Sequence, residues 1–190
     1  MLDCLRHCDR ALFLFINSHH NSFFDGVMWY ISGIVIWIPL YLFIIFKIFQ
    51  KYPRKIVWYI VLTFIVSVGL SNFISSEILK GTVCRLRPSH VPELQQYIHL
   101  VRNYTGGMYG FASSHSANMA AIAMLTSYFF PKKWIIASIS AWALMIAYSR
   151  IYLGVHYPGD VVAGILIGIT VSTGFLFLYQ RICKDKVLIY

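Results

Sequence analysis

The chain has 190 residues, 58% of them hydrophobic and 12% charged, with a mean hydropathy of +0.66. So little polar surface excludes a soluble domain of this size. The net charge of +9, from 16 Lys and Arg against 7 Asp and Glu, would point to nucleic acid in a soluble chain. Here the basic residues flank apolar runs, which is a mark of membrane topology, and no nucleic-acid partner is expected.

The first element in chain order is the stretch 9–17, amphipathic and too short to span. It reads as a helix lying in the membrane interface, followed by a polar turn over 17–21. Asp3, Arg6, Asp9 and Arg10 ahead of the short apolar run 11–16 do not make a cleavable signal peptide. Cys4 and Cys8 flank His7, but a structural zinc site takes four N or S ligands. Free thiols are the preferred reading for all four cysteines, Cys84 and Cys183 included.

Five segments then qualify, or nearly so, as spans of about 20 apolar residues. They are 27–46, 56–76, 110–130, the shorter 134–149 and 161–180. The expected fold is all-α: an integral-membrane bundle of about five transmembrane helices plus the interfacial N-terminal helix. It forms one domain over 1–190, with an interfacial segment at 1–24 and a long outer catalytic loop at 80–109, and a connection of that length is usually functional.

The connections alternate sides. One side carries Lys47, Lys51, Arg54, Lys55, Lys132, Lys133, Arg181, Lys184 and Lys186 against the single acidic Asp185. The positive-inside rule makes this side, with the C-terminus, cytoplasmic. The 80–109 loop and the 150–160 connection then face outward, toward the periplasm if the membrane is a bacterial inner membrane. Lys80, Arg85, Arg87 and Arg150 lie on that outer side, where topology gives them no reason to be. An anionic ligand does.

Three clusters reach the outer surface: Lys80 to Arg87-Pro88, Ala112-Ser113-Ser114-His115, and Ser149-Arg150 followed by His156 to Asp160. Lys80, Arg87 and Arg150 supply charge-assisted hydrogen bonds suited to phosphate oxygens. Ser113 and Ser114 sit at a helix start, where hydroxyls and free backbone N–H groups form an anion site. Pro158 favours a second helix start directly after His156. A nucleophilic imidazole must be neutral with one ring nitrogen free, and Asp160, four residues after His156, can accept from the other. His115 can protonate the leaving oxygen. The expected course is a phosphohistidine on His156, then hydrolysis. The cations supply the positive charge themselves, so no metal and no cofactor is expected.

These motifs resemble the type 2 phosphatidic acid phosphatase (PAP2) superfamily, whose pattern reads K-x6-RP, then P-S-G-H, then SR-x5-H-x3-D. The chain has Lys80 with Arg87-Pro88, Ser113 with His115, and Ser149-Arg150 with His156 and Asp160 at those spacings. The resemblance implies His156 as nucleophile, Asp160 as its partner and His115 as general acid, with Lys80, Arg87, Ser113 and Arg150 as phosphate ligands. It also implies a metal-independent enzyme with its site at the outer leaflet. The second motif departs from the pattern, with Ala112 in place of Pro and Ser114 in place of Gly; the extra side chain lies close to the phosphate position. The stretch from Phe111 to Asn118 is similar to the lipid A phosphatase branch.

The function expected is hydrolysis of phosphate from a membrane lipid, lipid A or undecaprenyl diphosphate, with phosphatidic acid or phosphatidylglycerophosphate as alternatives. Two readings from other classes are a non-catalytic anion or lipid binder and a haem protein ligated by His115 and His156. The His156–Asp160 pair argues against the first, since a binder needs no activated imidazole. Cations beside both histidines argue against the second. His7, His19, His20, His90 and His99 read as packed or solvated, and Trp142 as packing. Arg85 is read as either a second phosphate or headgroup contact or a bystander. Glu77 is read as either an ion-pair partner for Lys80 or solvated. Asn118 is left between the site and a helix contact.

Overall fold

The computed structural model describes residues 2–187, with side chains from residue 4 to residue 183. The basic tail residues Lys184 and Lys186, and Asp185, lie outside the described side chains. The described residues form helices and turns with no strand, only one isolated bridge.

Helix α6 (Ser114–Phe129) is the centre of the bundle. It packs against α4 (Arg54–Phe73), α7 (Lys133–Tyr152) and α8 (Pro158–Val187). Its buried residues run all round the helix, Ala117, Ala120, Ala121, Ala123, Leu125 and Phe129 among them, as expected of a helix walled in on every side. Small residues bring α8 close. A Cβ at Gly164 would strike the Ser113 carbonyl, and one at Gly168 the Ala117 carbonyl. Close backbone approach of this kind is how helices associate in lipid, where burial of apolar surface no longer drives packing.

Helix α4 buries Ile56, Val57 and Ile60 in its first turns, then Thr63, Ser67 and Ser71. It runs through a π-helical turn, Ile74–Leu79, into the short α5 (Lys80–Val83), making one 30-residue rod, Arg54–Val83. That rod, α7 and Pro158–Cys183 of α8 are each long and apolar enough to cross a membrane. α6, with 16 residues, is shorter.

The first expected span is not a single rod. It divides into α2 (Ser22–Ser32) and α3 (Ile38–Lys51), joined through a 3-10 turn at Val35–Trp37. The pair is bent by 67° and reaches the length of a span only when taken together. Gly33 caps α2, its N–H donating to the Tyr30 carbonyl at 3.0 Å. Pro39 starts α3, and Trp37 Nε1 donates back to the Ile31 carbonyl at 2.8 Å. The apolar run at 27–46 hid a helix stop followed by a helix start.

The N-terminal helix is also longer than expected. α1 covers Leu2–Ser18, and Asn17 is fully buried within it rather than opening a turn. Its amide Nδ2 donates to the His99 carbonyl at 2.9 Å and to the Tyr152 carbonyl at 2.8 Å. α1 thereby packs on the α7 and α8 end of the bundle, with Phe13 buried against Tyr157.

Candidate active site

The long 80–109 connection closes on itself. Leu86 bridges Tyr109, Arg87 N–H donates to the Met108 carbonyl at 3.0 Å and Gly110 N–H to the Arg85 carbonyl at 2.8 Å. This clasp fixes Arg87, whose Nε donates to the Tyr109 carbonyl at 3.1 Å. The chain needs glycine at 110, because a Cβ there would stand 2.9 Å from Asp160 Oδ2 and 3.2 Å from Arg87 Cγ.

Two helix starts meet beside the clasp. Ser113 caps α6, its Oγ accepting from Ser116 Oγ at 3.0 Å. Ser113 N–H donates to the Asp160 carbonyl at 2.9 Å, which ties the start of α6 to the start of α8. α8 begins at Pro158, as its sequence predicts. His115, in the first turn of α6, and His156, just before α8, are therefore brought to one place. Arg150, Lys80 and Arg87 are the charged neighbours of His115, with the His156 imidazole beside them.

Each cation is held differently. Lys80 Nζ donates to Ser114 Oγ at 2.9 Å, and that hydroxyl is also 2.7 Å from Ser76 Oγ. The π turn before Lys80 thus leads into a contact that exists because Ser, not Gly, stands at 114; turns of this type recur at functional sites. Arg150, in the last turn of α7, bonds Ser32 Oγ through Nη1 and the Tyr104 hydroxyl through Nη2 at 3.4 Å. Ser32 reaches it because α2 stops at the bend. Burial alone would push the Tyr104 hydroxyl up, but the hydrogen bond from Arg150 and the field of Arg150 and Arg87 bring it below its ordinary value. Burial, then Arg150 beside it, lowers the pKa of Arg87, whose guanidinium still stays charged.

His156 is 1% exposed and Asp160 fully buried. His156 Nδ1 faces Asp160 Oδ2 at 3.5 Å, longer than a formed hydrogen bond. Burial, then the field of Arg87, Arg150 and Lys80, holds the imidazole pKa well below its ordinary value. Asp160 is held firmly: Oδ2 accepts from Tyr157 N–H at 3.0 Å and Oδ1 from Arg85 Nη1 at 2.9 Å. Arg85 also donates through Nη2 to Asp9 Oδ2 at 2.7 Å and lies over the Tyr157 ring, 4.0 Å from its centroid. Asp9 Oδ1 in turn accepts from Gly159 N–H at 2.7 Å.

All eight residues singled out from the sequence lie at this end of the bundle. Arg85, read there as a phosphate contact or a bystander, is instead an ion-pair bridge from α1 to Asp160. Asn118 donates to Asn72 Oδ1 at 3.3 Å and so contacts α4. Asp9, Ser32 and Tyr104 went unnoticed as site residues, because each reaches its partner across the fold and not along the chain.

The chain belongs to the PAP2 superfamily, matching it over residues 57–183, and is a phosphoric ester hydrolase of that family. It is 35% identical over 170 residues to the lipid A 4'-phosphatase of Bacteroides thetaiotaomicron, covering 88% of this chain and 75% of the relative. The lipid A 4'-phosphatase of Porphyromonas gingivalis is 34% identical, over 95% of this chain and 77% of that one. The crystal structure of Aquifex aeolicus LpxE superposes with a TM-score of 0.61 at 25% identity, covering 87% of this chain and 93% of that chain.

Proposed function

We propose that this site removes phosphate from lipid A at the membrane face away from the cytoplasm, with His156 as the nucleophile. The carrying observation is a set of buried nitrogens that form no hydrogen bond: Arg87 Nη1, Arg150 Nε and His156 Nδ1. Buried donors are normally satisfied, and unpaired buried charge is costly. A phosphoryl group would satisfy the guanidinium donors, and closer approach of Asp160 would satisfy the imidazole. The names of the two relatives favour lipid A. The concentration of Lys and Arg at the opposite end favours the outward face.

In the first step, His156 Nε2 attacks phosphorus while Nδ1–H is held toward Asp160. The bond from phosphorus to the lipid oxygen breaks, and His115 delivers its proton to that oxygen. In the second, water attacks phosphorus and gives a proton to His115 while the bond from phosphorus to Nε2 breaks, releasing inorganic phosphate and returning the His156 imidazole. Lys80, Arg87 and Arg150 stabilise the equatorial oxygens in both steps, and Ser113 Oγ keeps its own proton for an oxygen. Ser114 holds Lys80 in place. Arg85 and Asp9 act at one remove, by fixing the carboxylate that orients the imidazole.

A cleft of about 270 Å³ leads to His115 and Arg150, with Trp29, Gly33, Ile34 and Tyr104 on its walls. Its mouth is the break between α2 and α3, where Ile34 is 60% exposed. An apolar mouth over a cationic floor suits a lipid arriving sideways with its phosphate leading.

The test is phosphate release by purified protein in detergent with chelator present, on lipid A, undecaprenyl diphosphate, phosphatidic acid and phosphatidylglycerophosphate. Release from lipid A that disappears in His156→Ala is expected. Release only from undecaprenyl diphosphate would overturn the substrate, and undiminished release by the variant would overturn the nucleophile.

A further inference from the structure

Beside the site, three side chains converge that the reaction does not use. His20 follows α1, Asp25 lies in the first turn of α2 and His99 in the 80–109 loop. His99 Nε2 is 2.9 Å from Asp25 Oδ2. The His20 ring stacks on the His99 ring, with centroids 3.7 Å and planes 4° apart. One ligand atom from each of the three lies within 4.8 Å of the others.

Two features distinguish this group from a chance cluster on the surface. The backbone carrying His99 is clamped by buried Asn17, which donates to its carbonyl at 2.9 Å and accepts its N–H at 2.7 Å. The other oxygen of Asp25, Oδ1, accepts from the buried Tyr152 hydroxyl at 2.8 Å. A partner on the non-ligating oxygen orients a carboxylate for an ion, as outer-shell groups do around metals. Two imidazoles and one carboxylate suit Zn²⁺ and similar transition ions, whereas Mg²⁺ and Ca²⁺ prefer oxygen alone. Stacked rings aim their nitrogens along parallel planes, so one shared ion requires the His20 ring to turn. His20 is exposed and lies between helices, where such a turn meets little resistance.

We propose that His20, Asp25 and His99 bind one divalent transition-metal ion of the Zn²⁺ class, with water in the remaining position. The ion would join the α1–α2 turn, α2 and the loop that carries Tyr104, and so brace the residue holding Arg150. Three protein ligands leave the site open, unlike a closed four-ligand structural zinc site, and its role lies outside the chemistry of phosphate transfer.

The experiment uses the full chain without a tag, stripped with chelator in detergent, and measures Zn²⁺ by equilibrium dialysis beside thermal unfolding. One Zn²⁺ per chain is expected, with a Tm raised by Zn²⁺ and not by Mg²⁺. Asp25→Asn keeps an acceptor for Tyr152, and His20→Ala removes only an exposed ring; both should melt like the parent in chelator. Each should weaken Zn²⁺ binding by more than about 100-fold, and Tyr152→Phe by about 10-fold, as an outer-shell change does. Cys4→Ser with Cys8→Ser should change nothing. Undiminished binding in Asp25→Asn and His20→Ala, loss with the cysteines, or no stoichiometric Zn²⁺ at all would overturn the proposal. The readout is metal binding, so it stands apart from any result on phosphate release.

Discussion

The two ends of α6 use positive charge in opposite ways. At its C-terminal end, Lys51 Nζ and the Tyr52 hydroxyl both donate to the Phe129 carbonyl, at 2.6 and 2.8 Å. Lys132 and Lys133 nearby stay exposed. These cations satisfy helix carbonyls or water and complement the helix dipole. At the N-terminal end, Arg87 and Arg150 are 7% and 3% exposed, and each keeps a buried nitrogen without a protein partner. Charge at one end is settled by the protein itself, and at the other is poised for a ligand. Net charge alone could not have told these apart; burial and unmet hydrogen bonds do.

The comparison can be broken most sharply at His156. His156→Ala should lower phosphate release by at least about 10,000-fold, the scale of losing a nucleophile, with Tm little changed. Arg150→Ala should cost about 100- to 1,000-fold in kcat, as loss of a transition-state donor does. Lys51→Ala should leave kcat within about twofold and lose about 1 kcal/mol of stability with one hydrogen bond. If those two variants lost activity equally, the distinction between the ends would fail.

Smaller effects sharpen the picture. Arg85→Ala or Asp9→Asn should lower kcat by about 10- to 100-fold with KM nearly unchanged, since orientation and not binding is lost. Ser114→Gly, which frees Lys80, should change kcat/KM by only about threefold to tenfold. The pH profile gives the subtlest sign. A depressed His156 pKa keeps the imidazole neutral as pH falls, so kcat/KM should not decline through about pH 6.5, where a free histidine titrates. A decline centred there would place its proton affinity at the ordinary value and contradict the burial argument.

The sequence reading reached the spaced motif residues because chemistry constrains them locally: a proline opens α8 right after His156, and Ser113 caps the helix that carries His115. It missed the Asp9–Arg85–Asp160 bridge, whose partners stand 76 and 75 positions apart and follow no periodicity. Polarity makes Asn17 read as a turn residue, yet its amide is fully used in bonds to the His99 and Tyr152 carbonyls. The bend at Gly33 was hidden by hydropathy. An apolar run reads the same whether straight or broken, although Gly33 and Pro39 mark the break once the caps are considered. The serine at 114 looked like an intrusion near the phosphate, and the fold gives it Lys80 and Ser76 as partners.

The most direct test of the two-step route through His156 is the stereochemical course at phosphorus. A lipid thiophosphate made chiral with one heavy oxygen isotope would be hydrolysed in water carrying a third isotope. Two in-line displacements, on His156 and then by water, predict net retention. Net inversion would mean that water attacks the lipid phosphate directly, and would contradict the phosphohistidine at the centre of this account.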